Sequence, residues 1–438
     1  MGFIRKLRGF DLDRAVSRKR NIHKPPRQTR RCIRSLKFSS KPRSRLCPEI
    51  TSKSWSTLKR IWRFICKNAD EEIEFRPLEP ELDMDEIKSS NMYSSVPNQI
   101  RTEFERINHS GAYLKTKLPG NRVAHIYIVE DSRRKTTATQ ITIYLRFVVA
   151  WLRFASSVAS PNCAKELRAY LLLSDLEKFV PEVQSDAIDV VHANTAFTTS
   201  CSAQNTIFLF RREEWFKVFI HETFHCMGLD FSAGSENDGS NDRMRSLFKA
   251  LGRETDVRLY ETFCEMWAEL VNILFCLFTT RGGKCLPFSE RRFRTALFRE
   301  QLFSIYQSNK LLRRAGFRYG ELFVTPSRPA YKENTPAFSY FVIKSVLLWN
   351  VDRFIQWCEK WNDGKDAPMQ FPSNHVSDYC DLVASLSRSD SYKTAAETNT
   401  MPSYSNGVDC RRTILNTLRM TAIDPAFSPT PKLIVQQI

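Results

Sequence analysis

Histidine is scarce in this chain, with 7 residues in 438. The 12 cysteines form no C-x-x-C pair and follow no regular spacing. The N-terminal arm contains no apolar run of signal-peptide length. These features argue against a disulfide framework and point to reduced thiols in an intracellular protein that is not secreted. No apolar run approaches a transmembrane span, so a membrane-spanning class is not expected. Acidic residues are nearly missing from the first 68 positions, which hold 3 Asp and Glu against 21 Lys and Arg, while the remaining positions carry 45 of each sign. The net charge of +18 therefore belongs to the N-terminal arm and not to the folded body.

Met1 to about Cys47 is rich in Arg, Lys and Ser, includes Arg18-Lys19-Arg20 and Lys24-Pro25-Pro26-Arg27, and reads as disordered. Its density of cations suits counterion release from nucleic acid or a nuclear address. A solvated tail with no partner is the plainer alternative. From Ser54 to Lys67, the residues Trp55, Leu58, Ile61, Trp62 and Ile65 recur at helical spacing, with Lys59, Arg60, Arg63 and Lys67 on the other side. This basic amphipathic helix closes the arm (1–68) and suits an anionic membrane surface, a partner groove or the protein's own body. Asp70 to Glu86 carries nine acids, with prolines at Pro77 and Pro80. Residues 69–97 therefore read as an extended acidic linker, able to fold back and mask the arm.

The chain is organised around His221-Glu222-Thr223-Phe224-His225, within a run from Glu213 to Gly228 that has no proline and no earlier glycine. Glu213 and Glu214 open it, where the helix dipole favours negative charge, and Gly228 closes it at a position suited to a left-handed cap. Residues four apart share one face of a helix, so His221 and His225 can hold one ion, with Glu222 beside them to take a proton from water. This is the H-E-x-x-H arrangement of zinc peptidases, and from composition alone it arises by chance about once in a hundred such chains. Buried histidine and glutamate in an apolar helix are costly without a purpose.

Catalytic zinc needs a third protein ligand. The H-E-x-x-H-x-x-G-x-x-H continuation fails, because Phe231 stands in the ligand slot and Asp230 is one position early. A second helix, Asp256 to Leu270, offers Glu261, Glu265 and Glu269 as one acidic stripe opposite Leu259, Phe263, Met266, Trp267 and Leu270. It runs straight into an apolar stretch, so its acids need partners.

The pairing of H-E-x-x-H with a downstream E-x-x-x-E helix resembles the gluzincin peptidases. The resemblance implies that the first acid binds zinc and the second orients a ligand histidine. On that pattern His221, His225 and Glu261 hold Zn2+, Glu261 lying 36 positions after His225. Glu265 then holds His221 or His225, and is the alternative ligand. Gluzincins often place a downstream Tyr or His near the developing oxyanion; Tyr340 is the candidate here, with packing as its other role, and His375 is a further one. Glu213 to Ser232, Glu261 to Ala268 and Ser339 to Ser345 are also similar to uncharacterised metallopeptidases encoded by giant DNA viruses. That similarity spans residues 120–420 and implies a viral protein of the host cytoplasm, nucleus or virion.

The rest of the chain implies an α+β fold with a zincin-like core. Residues 98–280 form the metal-binding domain. Val123–Val129 and Ala169–Leu173 read as strands, Val190-Val191 as the start of another, and Ile141–Ser157 as a buried helix. His125 is a packed sheet residue. A hairpin over Asn194–Thr199 and Thr206–Phe210 leads into the metal helix, and Ser232–Met244 is a loop connecting the two metal helices. Residues 281–438 read as helical: Ser289–Leu312, a helix starting at Thr335-Pro336, Val351–Trp361, Val376–Leu386, then a polar loop over Ser387–Asp409 and a last helix at Arg411–Ala422. The function expected is a zinc-dependent peptidase with Glu222 as general base, acting on a peptide or protein substrate. The alternative is a non-catalytic viral protein that associates with nucleic acid or membrane through residues 1–68 and retains a structural metal helix.

Overall fold

The computed structural model describes residues 49–398 with short gaps, together with 36–37, 403–404 and 414–425. The basic arm, with its expected disorder and nucleic-acid role, lies outside the described residues, except that Leu36–Lys37 pairs antiparallel with Ser403–Tyr404.

The chain is mixed α/β, with a six-stranded sheet and a helical C-terminal part. The strands are β1 (Arg76–Pro77), β2 (His109–Leu118), β3 (Arg122–Asp131), β4 (Glu166–Leu172), β5 (Ala196–Thr198) and β6 (Gln204–Leu209), in the order β1-β2-β3-β4-β6-β5. β3, β4 and β6 run parallel; the other pairings are antiparallel. The expected hairpin before the metal helix is β5–β6. Val190–Ala193, expected to begin a strand, is a short helix because Asp189 caps it, accepting from Val190 N at 2.6 Å.

Side chains alternate across the sheet with a period of two. Ile126, Ile128, Ala169, Leu171, Ile207 and Leu209 face the main core, while Tyr127, Val129, Tyr170, Leu172, Phe208 and Phe210 face a second, smaller one. The acidic segment covers this second face, so it is not an extended linker. It forms β1, α2 (Pro80–Ser89) and, further on, α3 (Asn98–Arg106). Met84, Ile87, Ile100 and Phe104 are buried against the sheet. Each such side chain contributes about 1.5–3 kcal/mol on burial, which holds the segment down in spite of its charge. Asp83 takes both arms of Arg76, within the segment itself, at 2.7 and 2.8 Å, while Glu86 reaches the body and accepts from Arg168 at 3.2 Å.

The helix expected at Ser54–Lys67 is α1 (Ser52–Asn68). It is docked on the protein itself, with Trp55, Leu58, Ile61, Trp62 and Ile65 buried. Trp55 and Trp62 each pack edge-on against Phe288, at 5.9 and 5.7 Å. Its apolar face is therefore not available to a membrane or a partner groove. The folded body begins at Ile50, well before Asn98.

Between β3 and β4 runs α4 (Ala138–Val158), opened by a Thr137–Gln140 capping box. Contrary to expectation, this helix is long and apolar enough to cross a membrane by length and composition. Leu145, Val148, Ala150, Leu152 and Ala155 are fully buried in the main core, as in a soluble core helix.

The reduced-thiol expectation is corrected at four cysteines. Cys66 pairs with Cys285 and Cys163 with Cys201, at Cα separations of 5.5 and 4.8 Å, within the range a disulfide requires. Sequence separations of 219 and 38 residues hide both from a reading of spacing.

In the C-terminal part, the helix expected over Ser289–Leu312 is α9 (Glu290–Arg314), with Ser289 as its N-cap. Thr335 does not cap the next helix; its hydroxyl donates to Asn194 Oδ1 at 3.0 Å. That helix opens instead as a π-turn, Phe338–Ile343, continuing as α10 (Lys344–Trp349). α11 (Val351–Trp361) and α12 (Val376–Ser387) follow, and the expected loop holds α13 (Asp390–Thr398). The expected last helix is not formed beyond Asn416. Thr417 bridges Phe179, and the chain runs on through the core without helix to Ile423. Buried carboxylates capture its amides: Glu214 accepts from Met420 N at 2.7 Å, and Glu300 from Ala422 N and Ile423 N at 2.7 Å each.

Candidate metal centre

The helix that carries His221-Glu222-Thr223-Phe224-His225 is α6 (Trp215–Cys226), buried along its whole length. A helix this apolar on all sides belongs in a core. Glu214 precedes it in a left-handed conformation, φ 58°. The opening acids do not simply face a helix dipole: Glu214 is ion-paired with Lys178 and binds the C-terminal segment. At the other end, Gly228 is left-handed, φ 63°, as expected. Leu229 N donates to Phe224 O at 2.9 Å and Gly228 N to His225 O at 3.2 Å. This pair of bonds is a Schellman cap. It reverses the chain at once and delivers Asp230 to the side of His225.

The second helix of the centre is α8 (Leu259–Leu277), which packs along α6. The expected loop between them is half helix: α7 (Ser240–Leu247) docks on α12, with Arg243 pairing Asp381 at 2.6 Å. α8 divides its acidic stripe by role. Glu261 Oε2 lies 3.0 Å from His221 Nε2 and 3.4 Å from His225 Nε2, and the two Nε2 atoms are 3.1 Å apart. Glu265 sits behind: its Oε1 is 2.9 Å from His221 Nδ1, and its Oε2 meets Lys217. Glu269 is further away, held by Lys344 and by Thr421, each at 2.8 Å.

The three converging atoms fit a metal ion. Ligands at zinc distances of 2.0–2.1 Å in a tetrahedron stand about 3.3 Å from one another, and here the separations are 3.0, 3.1 and 3.4 Å. Two imidazoles and a carboxylate are also a donor set that zinc accepts. A second grouping, His225 Nδ1, Asp230 Oδ2 and Cys264 Sγ, does not fit. Its nitrogen and oxygen are 2.6 Å apart, a hydrogen-bond distance too short for two ligands of one ion. Cys264 Sγ instead donates weakly to Asp230 at 3.6 Å. Cys264 and Cys226 are fully buried and act as small apolar residues.

Each imidazole thus turns Nε2 to the ligand face and Nδ1 to a carboxylate, Glu265 for His221 and Asp230 for His225. Such partners fix ring orientation and make the ligand nitrogen more basic. The electrostatics agree. Burial opposes charge on His221, yet the carboxylates of Glu261 and Glu265 against its two nitrogens lift it to about 9. Burial likewise opposes charge on His225, but the groups around it, Cys264, Asp230 and Glu261, raise it well above its ordinary value. Glu261, in spite of burial, is held well below the usual carboxylate range by His225 and His221. The cluster is built to hold positive charge.

Among the described residues Glu222 has no ion-pair partner, and burial raises its pKa, partly offset by the two histidines. Glu222, His225 and Glu261 keep 8%, 8% and 7% of their surface exposed. Tyr340, on the π-turn, has its ring 6.2 Å from His221; burial pushes its phenol well up, and Glu261 and Glu222 add to the rise. π-turns are frequent at functional sites. His375 is not at the centre by any contact of its own: it stacks on Trp361 at 3.8 Å and pairs with Asp378 at 2.9 Å. His125 bonds Tyr113 at 2.8 Å, as a packed sheet residue should.

Sequence reasoning misses four neighbours. Asp230 enters the motif pattern only as a misplaced ligand. Lys217 lies one turn before His221 on the same face, so its presence in an apolar helix is a usable signal. Tyr260, 5.9 Å from His225, and Arg258, which interacts with Tyr260 and Glu261, flank the ligand face; their positions just before Glu261 carry no pattern.

Comparisons of the chain with protein-family models, with curated proteins and with solved structures found no match.

Proposed function

We propose that this chain is a zinc-dependent peptidase of the gluzincin kind, with a zincin-like core formed by the sheet, α6 and α8. The observation that carries this reading is the convergence of His221 Nε2, His225 Nε2 and Glu261 Oε2 at 3.0–3.4 Å, with Glu222 beside them on the same helix. The histidines and Glu261 would hold the ion. When bound, zinc supplies Lewis acidity, which makes water a nucleophile near neutral pH and polarises a carbonyl.

The chain's own residues do the rest. Glu222, lifted by burial, accepts the proton of the attacking water and passes it to the leaving amine, for which a raised carboxylate is suited. Tyr340, its ring 6.2 Å from that of His221, is the phenol that would donate to an oxyanion. Glu265 and Asp230 hold the imidazoles in orientation. The edge strand β5 packs against α6 and offers an extended peptide a place to pair; this part rests on fold analogy. Glu222→Gln tests the reading: the variant retains zinc and loses hydrolysis of an unstructured protein substrate. A fully active variant rules the mechanism out. The apolar face of α1 is occupied by the protein itself and is not open to a membrane.

A further inference from the structure

Lys217 is a charged residue with only 1% of its surface exposed, in the middle of the main core. A buried ammonium is expensive unless it is paired and hydrogen-bonded. Its partner is Glu265 Oε2, while the other oxygen of that carboxylate lies 2.9 Å from His221 Nδ1. Lys217 and His221 are one turn apart on α6, so Glu265 is clamped between two neighbouring side chains of a single helix. Glu261, one turn earlier on α8, meets only the Nε2 atoms.

We propose that Lys217 is a positioning residue of the metal centre: it fixes Glu265 behind His221, and thereby commits Glu261, not Glu265, to the ligand face. Geometry supports this. Glu261, Glu265 and Asp230 touch the two imidazoles, and Lys217 is the ammonium that meets Glu265. Without Lys217, Glu265 loses the partner that fixes the rotamer from which it faces His221.

The inference rests on His221, His225 and Glu261 as the ligand set. Its test is zinc affinity, measured by competition with a chromophoric chelator, for the parent, Lys217→Met, Glu265→Gln and the double variant. Thermal melting of each separates lost folding from lost affinity. Loss of an orienting partner typically weakens metal binding about 10–100-fold, and that is expected for each single variant. Because Lys217 acts through Glu265, the double variant should bind no more weakly than Glu265→Gln alone. The double variant also leaves no unpaired buried charge, so this comparison survives if Lys217→Met alone does not fold. A Lys217→Met that binds zinc like the parent, or losses that add in the double variant, overturns the inference and leaves the ligand set standing. A parent that binds no zinc overturns both.

Discussion

Asp230 Oδ2 lies 2.6 Å from His225 Nδ1, five residues along the chain, because the Schellman turn at Gly228 folds the backbone over the end of α6. A residue with no place in the ligand pattern is thereby set behind a ligand. Asp230→Ala leaves His225 Nδ1 without its carboxylate. Zinc affinity is expected to fall about 10–100-fold, with little change in the melting temperature of the metal-loaded protein at saturating zinc. Unchanged affinity in a chelator competition would show that the contact does not orient the ring.

The turn itself is exposed to a second test. Gly228 has φ 63°, and a Cβ there would lie 2.7 Å from Cys163 Sγ. Gly228→Ala therefore combines a left-handed backbone, at about 1–2 kcal/mol, with a clash against the Cys163–Cys201 disulfide. The variant should melt several degrees lower and bind zinc more weakly, since Asp230 rides on the turn. A variant that melts like the parent contradicts the geometry.

Zinc uptake should depend on pH. Against the effect of burial, Glu261 and Glu265 lift His221 to about 9, and His225 is raised as well. Both shifts favour the protonated imidazoles, and a metal ion must displace those protons to bind. Affinity should therefore climb from pH 6 to 8, by up to about tenfold per pH unit for each proton released, and level off above about 9. Isothermal titration in buffers of different ionisation enthalpy counts the protons. A pH-independent affinity contradicts the electrostatics.

Glu333 gives a stability test away from the centre. It is buried, accepts from Tyr331 OH at 2.8 Å and Phe338 N at 2.7 Å, and burial lifts it to about 8. A carboxyl raised on folding binds its proton more tightly in the native state. Its contribution is complete below its unfolded pKa, near 4.5, and is lost as pH rises through about 8. Urea midpoints of the parent should fall from pH 5 to pH 8.5 more steeply than those of Glu333→Gln. Equal slopes would mean that Glu333 is ionised throughout.

The parts of the fold that local pattern encodes are legible in the chain. The apolar run with H-E-x-x-H marks α6, Gly228 marks its cap, and the stripe of Glu261, Glu265 and Glu269 marks α8. The β5–β6 hairpin and the buried α4 are equally visible. What depends on distant partners is not. The acidic segment looks like a linker because charge outnumbers apolar residues, yet its Leu78, Met84, Ile87 and Val96 are buried against the second face of the sheet. Near the C-terminus, Ile414, Leu415 and Leu418 stand at helical spacing. Buried Glu214 and Glu300 nevertheless claim the amides that a helix running on to Ala422 would use. The disulfides join residues that no spacing rule connects.

The central claim is that His221, His225 and Glu261 hold one zinc ion. Metal content of the purified, zinc-reconstituted protein, measured by mass spectrometry beside His225→Ala and Glu261→Ala, tests it most directly. The parent should hold about one zinc per chain, and both variants should lose it. A parent without zinc, or a Glu261→Ala variant that keeps it, would rule this ligand set out.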